Sequence, residues 1–167
     1  MTNPVRIIGV DPGFDRLGIA VIEKTGNKEV LLFSACITTS KQDTFVERLT
    51  HVASSFIDVL QTYSPHELAL EKLFFAKNQT TAINVAEVRG VLLYLAHTHH
   101  LLIAEYSPPE IKVAVTGYGK ATKQDIAMMV PKILSVNMGD KKMDDELDAI
   151  AIALTHSAHR KMKSWGK

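Results

Sequence analysis

The chain is 167 residues long and 46% apolar, which allows one domain with a sizeable core and excludes an intrinsically disordered chain. Its formal net charge of +1 excludes a uniformly basic nucleic-acid binder, so any anion-binding surface has to come from locally clustered lysine and arginine. The single cysteine, Cys36, excludes an intrachain disulfide framework or a thiolate zinc site and fits a reducing compartment. The apolar run before Asp11 is too short for a secretory signal, and no segment reaches the roughly 20 apolar residues that span a bilayer. The expectation is a cytoplasmic protein without a membrane partner.

Three short apolar runs come first. Arg6 to Val10, Leu17 to Glu23 and Glu29 to Ile37 read as strands, with Gly26-Asn27 as a hairpin turn between the last two. Consecutive strands predict an antiparallel meander. From Thr44 to Tyr63 the apolar period becomes helical, through Val46, Leu49, Val52, Ala53, Phe56, Val59 and Leu60, until Ser64-Pro65 stops it. His66 to Glu71 is a fourth strand. Gln79 to His97 is a second helix, with Ala82, Ile83, Val85, Ala86, Val91 and Leu95 apolar. Leu101 to Ala104 is a fifth strand. Pro108-Pro109 opens a short helix that Gly117-Tyr118-Gly119 breaks. Lys123 to Leu134 is helical, although Pro131 should kink or end it. Asp144 to His159 is the last helix. The order β-β-β-α-β-α-β-α-α-α combines a meander with strand–helix–strand units, so an α/β protein with a mixed sheet flanked by helices is expected. No linker or repeat divides the chain, and one domain, 1–167, is expected.

Several acids sit at the ends of elements. Asp11 follows the first strand and Glu71 ends the fourth. Asp144, Asp145, Glu146 and Asp148 open the last helix. Asp145 and Asp148, three apart, share a helical face, where like charges repel and a bound cation would relieve them. Hard oxygen ligands suit magnesium or manganese, and a carboxylate group of this kind can hold two ions that activate water and stabilise the leaving oxygen of a phosphodiester. Each acid also has an ordinary explanation. Acids favour helix N-termini, and Asp11 before Pro12-Gly13 is a common turn former. Glu71, set between apolar LAL and LFF, resists such an explanation most, because a carboxylate in a buried strand end needs a partner.

The stretches IIGVDPGFDRLGIAVIE, LALEKLFFAKNQTTAINVAEVRGV and DELDAIAIALTH resemble, in this order, the motifs of the RuvC Holliday junction resolvases of the ribonuclease-H-like superfamily. The resemblance covers nearly the whole chain. It implies a ribonuclease-H-like five-stranded mixed sheet flanked by helices, and a structure-selective endonuclease. Such an enzyme binds four-way junction DNA as a homodimer and resolves it by two symmetric nicks. It implies Asp11, Glu71, Asp145 and Asp148 as catalytic metal ligands for two Mg2+ ions, which Mn2+ can replace. Asp144 shares the face of Asp148 and stays open as a competing ligand. Phe74 matches an aromatic residue that can stack on an unpaired base. Lys112 and Lys123 match basic positions near the scissile phosphate, with Lys123 neutralising charge that develops there. Lys77, Arg89 and Lys120 add to the expected DNA-facing surface. The helix around Gly90 corresponds to the family's dimer contact, and a branch-migration complex of the RuvA/RuvB type is an implied partner. His156 is expected in the core rather than as a ligand. Lys72 departs from the polar residue that often follows the glutamate.

Three alternatives stand beside this reading. The opening motif also begins actin-like ATPases, which need two such domains and further nucleotide motifs. A ribonuclease-H-like nuclease acting on another nucleic acid, or a junction-binding module without cleavage, would keep the fold; the presence of all four acids speaks against the latter.

Overall fold

The computed structural model describes residues 3–72, 79–135 and 144–163. Strands β1 (Val5–Asp11), β2 (Arg16–Thr25) and β3 (Lys28–Thr38) form the antiparallel meander. Gly26, at φ 60°, supplies the positive φ that a two-residue hairpin needs at its first central position. Helix α1 (Phe45–Tyr63) leads to β4 (Glu67–Glu71), and α2 (Gln79–Thr98) leads to β5 (Leu102–Tyr106). Both β4 and β5 join in parallel, giving one sheet of order β3-β2-β1-β4-β5. Three helices close the chain: α3 (Pro108–Thr116), α4 (Lys123–Leu134) and α5 (Asp144–Lys163). Pro131 does not end α4, which continues to Leu134 before Ser135 caps it in the left-handed region.

Strand alternation sorts the side chains into two cores. Ile8, Val10, Leu68 and Leu70 face α1 and α2, where Val52, Phe56, Val88 and Leu92 meet them. Ile7, Ala20, Ile22 and Ala69 face α3, α4 and α5. The odd-numbered positions of β1 and β4 therefore look toward α5, and these include Asp11 and Glu71. In α2 the buried stripe is Val88, Leu92 and Ala96, while Ile83 and Tyr94 are exposed. That helix packs on a different face from the one its apolar residues predict, because it is apolar on more than one side.

Glycine lets α5 lie directly on the sheet. A β-carbon at Gly9 would collide with the backbone of Ala149 and Ala153, and one at Gly18 with the carbonyl of Asp145. Gly18 pairs with Asp11 across the β1–β2 ladder. The close approach at Gly18 thus sets the first turn of α5 beside Asp11, as expected where glycine stands inside an apolar strand.

Candidate active site

β1 and β4 are parallel neighbours whose last registered pair is Val10 with Leu70. Asp11 and Glu71 each come one residue later, so two carboxylates leave the same end of the sheet side by side. Asp148 arrives from the second turn of α5. These three acids line one cavity of about 280 Å³, together with Lys112 of α3 and Lys123 of α4. Ile111, Ile126 and Ile152 form its apolar floor.

Burial and like charge dominate this cavity. The carboxyl of Asp11 is pushed up to about 7, first by burial and then by Asp148, Glu71 and Asp145, with Lys123 opposing. Glu71 is raised for the same reasons, burial first and Asp148 second. Lys123 Nζ donates to Asp148 Oδ2 at 2.8 Å, and this bond holds the ammonium above its ordinary pKa. Lys123 therefore neutralises part of a site that carries more negative charge than it can balance.

Asp145 lies just outside this cavity. It lines the adjoining cleft, where Arg16 Nε pairs with its Oδ2 at 3.3 Å and the Cys36 thiol donates to the same oxygen at 3.7 Å. Its charge still acts on Asp11. Asp144 is exposed, and its charge acts on Lys123. The two candidates thus differ in their surroundings: Asp145 is partly covered and paired with Arg16 and Cys36, and Asp144 is exposed.

The donor set fits a hard divalent cation. It consists of carboxylate oxygens, and the repulsion that raises Asp11 is what a cation would remove. Among the described residues no three acidic, histidine or cysteine side chains are drawn together into a ready metal cage. Asp148 is turned to Lys123 and Asp145 to Arg16, so these two ion pairs have to open for all four acids to share an ion.

The other expected positions divide. Lys112 lines the cavity, and Lys120 is exposed in the α3–α4 turn. Phe74 and Lys77 lie outside the described residues. Arg89, expected on a DNA-facing surface, is engaged within the protein. Its side chain is only 11% exposed, donates to the Glu71 carbonyl at 2.8 Å and pairs with Glu105. Arg89 therefore ties α2 to the ends of β4 and β5 and holds the backbone that carries Glu71. Residue spacing could not reveal this, because both partners come from other elements. Arg16 and Cys36 gave no signal in the sequence either, as their partner Asp145 belongs to the distant last helix.

His156 is a core residue, as expected. Its Nε2 lies 2.5 Å from Glu67 and its Nδ1 lies 2.6 Å from the Tyr106 hydroxyl, while Arg160 Nε donates to Glu67 Oε1 at 2.9 Å. Burial first, then Glu110 and Glu67, push the Tyr106 hydroxyl up to about 12.

Comparison with known proteins identifies the family. Residues 7–156 match the family model described as Crossover junction endodeoxyribonuclease RuvC. A protein of that name from Thermotoga petrophila is 42% identical over 153 residues, covering 92% of each chain. One from Halothermothrix orenii is 40% identical over 161 residues, covering 96% of this chain and 97% of the other. Among solved structures, Thermus thermophilus RuvC in complex with Holliday junction substrate superposes with a TM-score of 0.89 at 31% identity, covering 96% and 97% of the two chains. The yeast mitochondrial Holliday junction resolvase shares the fold at a TM-score of 0.74 and 13% identity, covering 97% and 81%.

Proposed function

The chain belongs to the RuvC family of crossover junction endodeoxyribonucleases, and from that premise we propose that it resolves four-way DNA junctions by metal-assisted hydrolysis, one nick in each of two strands. One observation carries the mechanistic reading: Asp11, Glu71 and Asp148 meet at one end of the sheet, and Asp11 is raised to about 7 by burial and by its acidic neighbours. Acids left so poorly balanced are a feature of working sites.

Asp11, Glu71, Asp148 and Asp145 would hold two Mg2+ ions, for which Mn2+ could substitute. When bound, such ions would supply Lewis-acid activation of water and neutralise charge on the phosphate. Lys123 exchanges Asp148 for the scissile phosphate and stabilises the charge that develops there. Lys112, on the same cavity wall, adds a second positive charge. The apolar floor of three isoleucines keeps the local dielectric low, which strengthens both contacts. Lys120 contacts the DNA backbone outside the cavity, and Phe74 and Lys77 are assigned to the junction from their motif alone.

Symmetric nicking calls for two active sites. We assign the second to a homodimer partner seated on α2, whose exposed Ile83 and Tyr94 and open surface at Gly90 support that contact. A branch-migration complex of the RuvA/RuvB type delivers the junction. Among the described residues no helix is long and apolar enough to cross a membrane. We place the protein in the cytoplasm, where its DNA substrate lies.

The test is cleavage of an end-labelled synthetic four-way junction with Mg2+, beside a linear duplex and the Asp148→Asn variant. Paired symmetric nicks in the junction alone, lost in the variant, support the proposal. Tight junction binding without cleavage under any divalent metal identifies a binding module instead. Cleavage without junction preference points to another nuclease of the superfamily.

A further inference from the structure

A second cleft adjoins the catalytic cavity across Asp145. It measures about 570 Å³ and is walled by the β1–β2 turn, Gly13 to Arg16, with Lys41, Arg48 and Asn84. Three cations face two acids there, Asp15 and Asp145. The cations play different parts. Arg48 is committed to structure: it pairs with Asp15, donates to Thr39 Oγ1 at 2.9 Å and lies 3.8 Å over the Phe14 ring. Phe14 in turn stacks on Phe45 at 5.1 Å. This framework fixes the turn that carries Arg16 and neutralises Asp15. The remaining cations are available to a ligand. The Lys41 side chain is 83% exposed and its Nζ is 3.9 Å from Asp15, while the Arg16 side chain is 54% exposed and its Nε is 3.3 Å from Asp145. Asn84 adds an amide donor from α2.

We propose that this cleft is a second phosphate site, in which Arg16, Lys41 and Asn84 bind one backbone phosphate of the cleaved strand beside the scissile one. The assignment rests on the nuclease reading above. Guanidinium, ammonium and amide donors around one small basic cleft suit a phosphodiester, and contacts of this kind set register rather than sequence preference. Lys112 and Lys123 grip the strand at one side of the carboxylates, and the new site grips it at the other. Arg16 also links the two sites, because the guanidinium that takes the flanking phosphate is the one that holds Asp145 before DNA arrives. Strand binding and release of Asp145 toward the metal centre are thereby coupled.

The experiment measures junction binding in EDTA, so that cleavage plays no part. Wild type, Lys41→Ala and Arg16→Ala/Lys41→Ala are titrated across a salt series, after thermal melting has established that each is folded. Lys41→Ala removes an exposed side chain and keeps the proposal testable if the double variant melts early. Loss of one phosphate contact lowers the slope of log K against log salt by about one. The same series is repeated on junctions carrying a neutral methylphosphonate at single positions flanking the scissile bond. One such position should weaken wild-type binding about tenfold, the weight of one charge-assisted contact, and weaken the double variant no further. An unchanged salt slope, or equal losses in both proteins at every flanking position, overturns the second site. If wild type binds the junction no better than a duplex, the junction-resolvase assignment itself fails, whereas junction preference with unaffected variants sinks only the second site.

Discussion

Strand β4 carries a glutamate at each end, and both face α5. Glu67 is buried and satisfied, by His156 at 2.5 Å and by Arg160 at 2.8 Å. Glu71, four residues on, lies among Asp11 and Asp148, and burial and like charge raise it. The same residue type on the same strand face thus meets opposite electrostatics. At one end, His156 and the Arg160 cation from the C-terminal half of α5 complete the acid and lock helix to sheet. At the other, the N-terminal turns of the same helix add more acid and leave the site short of positive charge. A buried carboxylate does not mark function by itself; the sign of what surrounds it does.

The largest way to break this contrast is Asp148→Asn. It removes a carboxylate from the poorly balanced end, and junction cleavage should fall by at least about 10³-fold while junction binding survives, as a labelled-junction assay would show. Glu67→Ala acts on the balanced end. It removes the acceptor that His156 and Arg160 share, so denaturant unfolding should show a loss of about 1–3 kcal/mol. Cleavage per folded molecule should persist at a temperature where the variant remains native.

A third test exploits the raised pKa. Asp11 has an ordinary carboxyl value of 3.8 when unfolded and about 7 in the folded protein. Between these values the folded state keeps a proton that the unfolded chain releases, so this group makes stability fall as pH rises from about 4 to about 7 and then level off. In metal-free protein, Asp11→Asn should therefore stabilise the fold above pH 7 by at most about 4 kcal/mol, and by little near pH 4. A pH series of chemical denaturation decides it; a destabilised variant at pH 8 would contradict the reading.

Gly18→Ala sharpens the role of the helix approach. Its new β-carbon meets the Asp145 carbonyl, and overpacking of this kind costs about 1–3 kcal/mol. Because the strain falls between Asp11 and Asp145, cleavage should drop more than stability does, in paired melting and cleavage measurements. The smallest effect belongs to Cys36→Ala. One long thiol contact to Asp145 is lost, and unfolding should move by less than about 1 kcal/mol because Arg16 still holds that carboxylate.

Periodicity and punctuation made most of the fold legible. Apolar runs cut by Gly and Pro marked the elements in order, and the parallel crossovers followed from strand–helix–strand connections. The candidate acids were legible because they stand at element ends, where apolar patterning stops. The face that α2 buries was not, because a helix apolar on several sides can pack on any of them. Arg89 shows the same limit: a lysine-like surface charge and a buried arginine tie look alike until Glu71 and Glu105 are seen around it.

The sequence by itself determined the elements and their order, since these depend on local spacing and residue chemistry; it offered the acids at element ends as candidates, and the family resemblance picked four of them with Asp144 left open. Only the tertiary structure decided which acids share a cavity, that Asp145 is partly covered while Asp144 is exposed, and that Arg16 and Cys36 hold Asp145 in an adjoining basic cleft. The physical reason is that electrostatic environment depends on distance and burial. Both are set by the contact of α5 with the sheet at Gly9 and Gly18, and no spacing along the chain encodes them.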